Sequence, residues 1–292
     1  MNRAHCILII AAHCVAGRLA IAQEHRGLIA DVSLTADGIV RIDQSRALQG
    51  SVTPGDAPGF PVTISQPGSY RLAGNLTVPD LNTTAIQITA DFVTLDLNGF
   101  SIAGPFNCTA GPATICPATG KGIGVQAGSG QPPAPRGIRV LNGSVRGMGL
   151  FGIQLAGDGS LVEKVNVDSN AGGGMTVAGT VTQNAATQNG SFGIIANIAR
   201  DCFSSQNAGD GIILGVPGPN GGVANNSSSN GGVGIAVQLG TASANTLFLN
   251  TGDGISALCP SSIVGNTIVT NGSVSIETKG DGCALANNAA RL

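Results

Sequence analysis

Large aromatic residues and charged residues are both scarce in this sequence. Tryptophan is absent, tyrosine occurs once, and charged residues make up only 10% of the chain. The formal net charge is −2, so the chain offers no positive field to attract nucleic acid. The composition therefore excludes a nucleic-acid-binding protein and describes a surface with few long side chains.

Long apolar runs are missing after the first 22 residues, because no later segment approaches the ~18 apolar residues of a membrane-spanning helix. Histidine is rare, and of the three only His25 is expected to remain in a mature, exported chain. Glycine, in contrast, occurs 45 times, which indicates many tight turns. We therefore expect a soluble, single-domain chain with no membrane span.

From Met148 onward one short pattern recurs: an Asn, followed five residues later by Ile or Met, usually with Gly before it. The pairs are Asn170 with Met175, Asn189 with Ile194, Asn207 with Ile212, Asn230 with Ile235, Asn250 with Ile255 and Asn271 with Ile276. Met148 with Ile153 fits upstream, with Met in the Asn position. Successive positions are 22, 19, 18, 23, 20 and 21 residues apart, so the repeat varies in length around a fixed Asn. Such a repeat predicts a solenoid.

Each repeat contains two short segments in which inward and outward residues alternate. One segment precedes the Asn, with small, apolar or Asn residues three and five positions before it, and the other begins at the Ile. A period of two predicts β-strands. Short strands that recur about every 20 residues bury their inward sides only by stacking into parallel sheets, so the sequence predicts a coiled β-solenoid.

The recurring Asn residues are predicted to be structural. Asn tolerates left-handed backbone angles at a turn, and amides stacked at the strand spacing can hydrogen-bond along the stack. The predicted ladder consists of Asn170, Asn189, Asn207, Asn230, Asn250 and Asn271. A second column, five residues before the ladder, contains Asn184, Asn225, Asn245 and Asn266, and the same structural role is predicted for it.

Three kinds of solenoid fit parts of this pattern. Leucine-rich repeats share the spacing of Val165, Val167 and Asn170, but the other repeats place Asn, Ser or Ala where that fold needs Leu. Calcium-binding nonapeptide repeats need a sustained nine-residue period, whereas Gly-Asp-Gly-Ile occurs only at 209–212 and 252–255. The Asn-x-x-x-Gly-Ile coils resemble the right-handed parallel β-helix repeat proteins of the pectate-lyase-like superfamily. This resemblance covers about 62–292 and implies an all-β, single-stranded right-handed parallel β-helix of about ten coils with an N-terminal cap.

The first 61 residues divide into two predicted parts. Residues 1–22 resemble a secretory signal peptide, with Arg3, an apolar run and an Ala20-Ile21-Ala22 cleavage site; a misplaced start codon and a short anchor are the alternatives. Residues 23–61 are predicted to be a lead-in, of which about 27–61 caps the open end of the solenoid. The β-helix then occupies 62–292, with a Pro- and Cys-containing loop insertion at about 103–136.

Five of the seven cysteines remain after the predicted cleavage. Cys108 and Cys116 share the loop insertion and can close it with a local disulfide in an oxidising compartment. Cys202 takes an inward position of the second column, so a buried thiol is expected. Cys283 falls in that same column if Asn288 is a last ladder residue, and a bond between Cys259 and Cys283 is the second predicted pairing. No cysteine pair has metal-finger spacing.

The resemblance implies that two enzyme classes have to be considered. Polygalacturonase-like hydrolases carry clustered Asp residues and an essential His, and His25 lies outside the predicted solenoid, which excludes that class. Pectate-lyase-like elimination needs acidic calcium ligands on neighbouring coils and an Arg or Lys that takes the α-proton. Calcium enters only with this lyase alternative, and no other cofactor and no metal site is predicted.

The best polar patch occupies the outward positions six, four and two residues before the ladder. It comprises Lys164, Asn166 and Asp168 on one coil, Gln183, Ala185 and Thr187 on the next, and Asp201, Phe203 and Ser205 on the third, with Glu163 and Arg200 one column over. The candidates for catalysis are Lys164, Asp168, Arg200 and Asp201. Three carboxylates converging on one calcium ion are not apparent among them, and Lys164 is predicted to lie about two coils from Asp201.

The candidates for ligand binding are Asn166, Gln183, Phe203 and Phe248. Phe203 and Phe248 are predicted to point outward in the same column and to form an apolar strip with Val269. Because sugar sites often use aromatic faces, one Tyr and eight Phe favour weak surface binding over processive cleavage. Asp210 and Asp253 are predicted to share another column, with Val233 between them, and to support their Gly-Asp-Gly turns.

These observations predict an exported β-helix protein, located outside the cell, in the periplasm or at the cell surface. The family resemblance implies non-catalytic binding of extracellular polysaccharide or cell-surface material, and a polysaccharide or a surface component is the expected partner. A calcium-assisted polysaccharide lyase is the first alternative. A purely structural surface or adhesion module is the second.

Overall fold

The computed structural model describes residues 38–109, 114–116, 119–128, 133–215 and 220–291. In this range the chain winds through parallel strands that pair with the preceding and following coils, and the predicted right-handed parallel β-helix of about ten coils is confirmed. The predicted signal peptide at 1–22 and the start of the predicted lead-in lie outside the described residues. The described helix has six residues, so no helix in this part of the chain is long enough to cross a membrane.

Each coil contributes to up to three sheets, which we call the first, second and third faces. The first face begins at the Ile of each repeat, the second follows it, and the third ends two residues before the ladder Asn. Several strands are continuous around a corner and serve two faces or all three: Arg139–Arg146, Ile153–Asp168, Met175–Thr182 and Ile194–Arg200.

The other strands belong to one face each. The first face contains Val62–Ile64, Ile86–Ile88, Val125–Ala127, Ile212–Leu214, Ile235–Val237, Ile255–Leu258 and Ile276–Lys279. The second face contains Val40–Ile42, Gly68–Leu72, Val93–Asp96, Asn220–Val223, Gly240–Ser243, Ser262–Val264 and Ala284–Ala286. The third face contains Leu76–Thr77, Ser101–Ala103, Ala185–Thr187, Phe203–Ser205, Asn226–Ser228, Thr246–Phe248, Thr267–Val269 and Ala289–Arg291.

The core is the inside of this winding, where alternate residues of each strand stack along the axis. On the first face the Ile column and the column two residues later are buried through nine coils, as in Ile212 and Leu214, both 0% exposed. The period of two in the sequence is therefore the inside–outside alternation of the strands. The segment predicted as one loop insertion at about 103–136 differs: it contains the first-face strand Val125–Ala127, and so forms two separate excursions.

The predicted asparagine ladder is confirmed, and its hydrogen bonds join each coil to the next. Asn207 donates its backbone N–H (3.1 Å) and its Nδ2 (2.9 Å) to Oδ1 of Asn230. The same Nδ2 also reaches the carbonyl of Ala186 in the preceding coil at 3.1 Å. The ladder residues are at most 8% exposed, and they repeat this arrangement from Asn170 to Asn271. Each amide thus replaces the backbone partners that a corner would otherwise lack.

The predicted reason for Asn at this corner is partly wrong. The left-handed backbone angle belongs to the residue before each ladder Asn, not to the Asn. These preceding residues are Ser169, Gln188, Gln206, Ser229, Leu249 and Thr270, with φ between 51° and 56°. The backbone turns at these residues, while the Asn side chain points inward and reaches the next coil. Asn is selected for its amide, and the left-handed position accepts several residue types.

The second column also forms a ladder, at the corner between the second and third faces. Asn225, Asn245 and Asn266 are linked in series through Nδ2–Oδ1 bonds of 3.0 and 2.9 Å. Asn266 continues to Asn288, so Asn288 ends this second ladder. The alternative considered in the sequence, that Asn288 is a last residue of the first ladder, is therefore wrong. Ser262 pairs with Ala284, so Cys283 does not lie in the second column, to which the sequence analysis had assigned it.

The glycine of the Asn-x-x-x-Gly-Ile pattern packs against the ladder. A Cβ at Gly211 would overlap Ser227 Oγ and approach Nδ2 of Asn230 to 2.7 Å. Equivalent contacts recur at Gly174 and Gly234, whose added Cβ atoms would lie 2.9 and 2.8 Å from ladder Nδ2 atoms. Glycine is therefore required because the corner brings backbone and amide too close for a side chain.

Residues 38–61, the described part of the segment predicted to cap the solenoid, cover the first coil. The strand Val40–Ile42 pairs with Gly68–Leu72, and the helix Gln44–Gln49 follows it, with Asp43 Oδ1 accepting from the N–H of Arg46 at 2.8 Å. Gln44 donates to the carbonyl of Thr77 (3.1 Å) and accepts from its N–H (2.8 Å), at the edge of the third face. Asp56 accepts the N–H of Thr63 on the first face at 2.6 Å. Each of the three faces is therefore contacted at this end by a strand or a side chain of residues 38–61.

Asn230→Ala should destabilise the protein strongly, because it leaves the buried N–H of Asn207 without its acceptor and removes several bonds at once. We expect a loss of about 3 kcal/mol in the free energy of unfolding, measured by equilibrium guanidinium denaturation. Asn226→Ala in the same coil is the matched control. Asn226 lies on an outward position and its Oδ1 has no hydrogen-bond partner, so a change below about 0.5 kcal/mol is expected. Equal losses for the two variants would contradict the ladder's role.

Gly211→Ala should cost about 2 kcal/mol, because the added methyl group must displace a ladder amide or the Ser227 hydroxyl. Gly221→Ala is the control, since its nearest neighbour would lie 3.9 Å from the new Cβ. The control should unfold at the same guanidinium concentration as the parent or a higher one. A tolerated substitution at Gly211 would show that the corner can expand.

Candidate functional site

The third face presents two outward columns of side chains between the two ladders. The first column contains Asn166, Ala185 and Phe203 on successive coils, and the second contains Asp168, Thr187 and Ser205. The intervening residues, such as Val167 and Ala186, are 0% exposed and belong to the core. The strand period of two therefore places the predicted polar patch on the outside of the solenoid, except that Ser205 is only 8% exposed.

Lys164, Gln183 and Asp201 occupy the left-handed position at the corner between the second and third faces. Their φ angles are 55°, 55° and 51°, and all three side chains are exposed. The N–H of Gln183 donates to the carbonyl of Arg200 at 3.0 Å, and the N–H of Asp201 to Val223 at 3.1 Å. Their backbones thus hold the corner together, while their side chains face solvent.

The charged candidates are spread out and do not converge. Gln183 lies between Lys164 and Asp201 in the stack, so these two are about 9.6 Å apart along the axis, as predicted. The ammonium of Lys164 is 3.7 Å from Glu163 Oε1 in an exposed pair. Arg200 lies in the next column, on the second face, where Thr182 separates it from Glu163.

Arg146 belongs to this surface and was missed in the sequence. It stands directly beside Asp168 in the register of the third face. Burial raises the pKa of the half-buried Asp168 carboxyl, while the positive charge of Arg146 and a hydrogen bond with Ser169 act in the opposite direction. The signal was available: Arg146 precedes Met148 by two residues, the same offset at which Asp168 precedes Asn170.

The predicted aromatic strip does not form. Phe203 aligns with Asn226 and Thr246, whereas Phe248 aligns with Ser228 and Val269 in the other column. Phe203 lies four residues before its ladder Asn and Phe248 only two, so both point outward but in different columns. Phe203 remains 41% exposed, and Phe248 is half-buried beside Val269.

A disulfide-closed loop borders the third face on its other side. Cys108 and Cys116 are bonded, and their sulfur atoms lie 3.7 and 3.8 Å from the carbonyl oxygen of Asn170. Gly190 admits this bond, because a Cβ there would lie 2.7 Å from the sulfur of Cys116. Thr114 Oγ1 donates to the carbonyl of Gln206, so the loop crosses three successive coils. The outward column that contains Asp168 therefore lies next to the disulfide-closed loop.

The other predicted features are placed as follows. Cys259 is bonded to Cys283 near the last coil. Asp210 accepts the N–H of Val233 at 2.8 Å, and Asp253 that of Val274 at 3.1 Å, so both carboxylates support the backbone of the following coil. Among the described residues, no group of three or more His, Cys, Asp or Glu side chains is arranged to hold a metal ion.

A cavity of about 400 Å³ lies at the N-terminal end, away from these candidates. Its lining is mainly apolar and includes Leu48, Phe60, Val78 and Pro79. None of the residues predicted to act in catalysis or binding contributes to it. The chemistry suggested by the sequence is therefore on an open face and not in an enclosed pocket.

No model of a known protein family matches the chain, and no curated protein sequence matches it. Several solved structures match the chain, among them the following two. The A-module of mannuronan C-5 epimerase AlgE4 from Azotobacter vinelandii is similar with a TM-score of 0.59 and 16% identity, over 76% of this chain and 68% of that one. The Dettilon tailspike protein gp208 has a TM-score of 0.55 and 17% identity, over 77% of this chain and 52% of the tailspike. At such identities the similarity establishes a common β-helix fold and no shared chemistry.

Cys202 should be unreactive in the folded protein. It is the free, buried cysteine of the described region, and burial raises the pKa of its thiol to about 11. At mildly alkaline pH it is therefore a neutral thiol, whereas alkylation requires the thiolate and access for the reagent. Iodoacetamide should leave Cys202 unmodified in the native protein and label it after denaturation, as mapped by mass spectrometry. Rapid native labelling would show that the second column opens at this coil.

Proposed function

We propose that this chain is an exported protein that binds extracellular polysaccharide along its third face, without catalysis. The observation that carries the proposal is the row of Arg146, Asp168 and Thr187 on three successive coils, beside the disulfide-closed loop. Guanidinium, carboxylate and hydroxyl groups are the side chains that hydrogen-bond sugar hydroxyls. A row that repeats at about 4.8 Å suits a polymer lying parallel to the axis of the β-helix.

The spacing of the cations favours a chain of several sugars over a single one. Arg146 on the third face and Arg200, in the second-face column next to the corner with the third face, are three coils apart, roughly 14 Å along the axis. Neither guanidinium forms a salt bridge with another described residue. Both are therefore available to pair with carboxylates of an acidic polysaccharide, for which the planar guanidinium is well suited.

An acidic sugar polymer is also the natural first ligand to test on this fold. The Azotobacter vinelandii protein that shares the β-helix is a mannuronan C-5 epimerase, and mannuronan is a polyuronate. That activity is a property of the other protein. Here the likeness supports only the choice of ligand.

Binding without turnover is favoured by the separation of the reactive groups. A catalytic base must come within hydrogen-bonding distance of the proton that it removes, close to the groups that stabilise the product charge. Lys164 lies four residues before Asp168, roughly 13 Å along an extended strand, and about two coils from Asp201. A calcium-assisted lyase would need these groups to meet around one sugar.

The two disulfides fit an extracellular or periplasmic location. Cys108–Cys116 and Cys259–Cys283 would persist in an oxidising compartment, and the predicted signal peptide at 1–22 would deliver the chain there. An extracellular polysaccharide is encountered in the same place. Location and ligand are thus consistent within one proposal.

Arg146→Ala and Arg200→Ala should each weaken binding of polymannuronate or polygalacturonate about tenfold, because each removes a charge-assisted hydrogen bond. Isothermal titration calorimetry measures this affinity. Arg139→Ala is the matched control: Arg139 is equally cationic and exposed, but its column on the second face, which continues to Leu161, lies two residues further from the third face than the column of Arg200. It should retain the affinity of the parent.

The same samples distinguish the alternatives. Ultraviolet absorbance of unsaturated products that grows with calcium and disappears in Lys164→Ala would establish the lyase and contradict binding without turnover. If the protein neither binds nor converts acidic polysaccharides, the result would favour the purely structural surface or adhesion module. Equal losses in all three arginine variants would show that binding depends on net charge and not on the third face.

A further inference from the structure

Asp168 is the acidic member of the row on the third face. Arg146 stands beside it on the preceding coil and Thr187 on the following coil, both in register with it. Neighbouring coils are about 4.8 Å apart, so each of these residues is one coil from the carboxyl group. A polymer that follows the row and contacts Arg146 therefore also passes Asp168.

Arg146 is the charged residue that faces Asp168 from the packed neighbouring elements. The neighbours in the other outward column of the third face are uncharged: Ser144, Asn166 and Ala185. The disulfide-closed loop at 108–116 contains no ionisable residue besides its two bonded cysteines. On the same strand, Lys164 lies four residues earlier and pairs with Glu163 at 3.7 Å. The protonation of Asp168 thus depends on burial, on one guanidinium and on whatever ligand lies along the row.

These surroundings hold the proton of Asp168 more tightly than that of an exposed aspartate. The side chain is half-buried, and burial raises the pKa of its carboxyl group, although Arg146 and a hydrogen bond with Ser169 oppose this effect. Arg146 forms no salt bridge with a carboxylate of the described residues. Its guanidinium is therefore close enough to influence Asp168 but remains available to a ligand.

We propose that Asp168 makes the third-face site sensitive to pH: the protein takes up a proton at Asp168 when it binds an acidic polysaccharide, and it releases the polysaccharide as Asp168 ionises. This inference rests on the proposed binding along the third face. A ligand carboxylate held by Arg146 brings a like charge to within about one coil of Asp168, and like charges at that distance disfavour the ionised form. Protonation removes the repulsion and supplies an O–H donor for the ligand carboxylate, whereas both forms of Asp168 hydrogen-bond sugar hydroxyls.

The direction of the pH dependence follows from this linkage. Because the bound polyanion raises the pKa of Asp168 further, affinity is greatest below the pKa of the free protein, where Asp168 is protonated with or without ligand. Affinity falls as the pH rises and reaches its lower limit above the pKa of the complex. A pKa that differs by about one unit between free and bound protein corresponds to a tenfold change in affinity.

Isothermal titration calorimetry with polymannuronate, from about pH 4 to pH 7, measures both consequences. Titrations at each pH in two buffers of different ionisation enthalpy give the number of protons taken up on binding. The parent should lose about tenfold in affinity over this range and show proton uptake within it. The carboxylates of the polymer titrate alike with every variant, so differences between variants report the protein.

Asp168→Asn removes the ionisable group and keeps the size and the hydrogen-bonding capacity of the side chain. At pH 7 this variant should bind polymannuronate about tenfold more tightly than the parent, and the proton uptake attributed to Asp168 should disappear. Asp158→Asn is the matched control, because it removes the same charge from an exposed corner between the first and second faces. It should keep the affinity and the proton uptake of the parent. Far-ultraviolet circular dichroism verifies that both variants fold.

The outcomes separate this inference from the proposed function. Proton uptake that persists in Asp168→Asn, or an equal gain of affinity in Asp158→Asn, would overturn the role of Asp168. If Arg146→Ala weakens binding while Asp168→Asn keeps the pH profile of the parent, the third face binds the polymer and only the pH sensitivity is refuted. If the parent binds no polymannuronate at any pH, both proposals are refuted.

Discussion

The structure depends on one interaction, the hydrogen bond between a buried asparagine amide and the backbone of the next coil. A solenoid corner interrupts the sheet, and there the backbone N–H groups would otherwise be buried without partners. The amide oxygen of Asn207 accepts from Asn189 in the preceding coil, and its nitrogen donates both to the carbonyl of Ala186 in that coil and to Asn230 in the next. Because the same group serves each coil from Asn170 to Asn271, the corners of these coils stack in register although the repeats differ in length.

This constraint separates structural from chemical residues at each corner. The asparagine side chain turns inward, and the residue before it adopts the left-handed conformation, with its side chain exposed at Gln206 and Leu249 but buried at Ser169. The outward residue is therefore free to vary, and Lys164, Gln183 and Asp201 occupy such positions. Their proximity to a conspicuous repeat reflects the geometry of the corner. The surface that can hold a ligand is the third face, where side chains from successive coils form continuous rows.

The same regularity explains why the ends of the molecule matter. A coil satisfies its neighbour by presenting another coil, so the end of the stack needs a different structure to complete its sheets. At the N-terminal end, Gln44 and Asp56 end the sheets with side-chain hydrogen bonds. The exposed Leu285 at the opposite end keeps the inward register of the core.

The sequence by itself determined the winding. An Asn at a fixed offset from Ile and a period of two within each segment predicted strands, coils and the amide ladder, because each of these is a local or nearest-neighbour property that recurs in every repeat. The outward placement of Asn166, Asp168 and Phe203 followed from the same period. Those parts of the candidate site were therefore accessible without a structure.

Only the tertiary structure decided which side chains meet. Phe203 and Phe248 both point outward, but the lateral register of the strands places them in different columns. Arg146 joins Asp168 because two strands 22 residues apart pair in register, and the disulfide-closed loop reaches Gln206 over three coils. Which side chains meet between coils depends on the register that the strands adopt after loops of different length. This register is a non-local property, so it cannot be read from the period within one repeat.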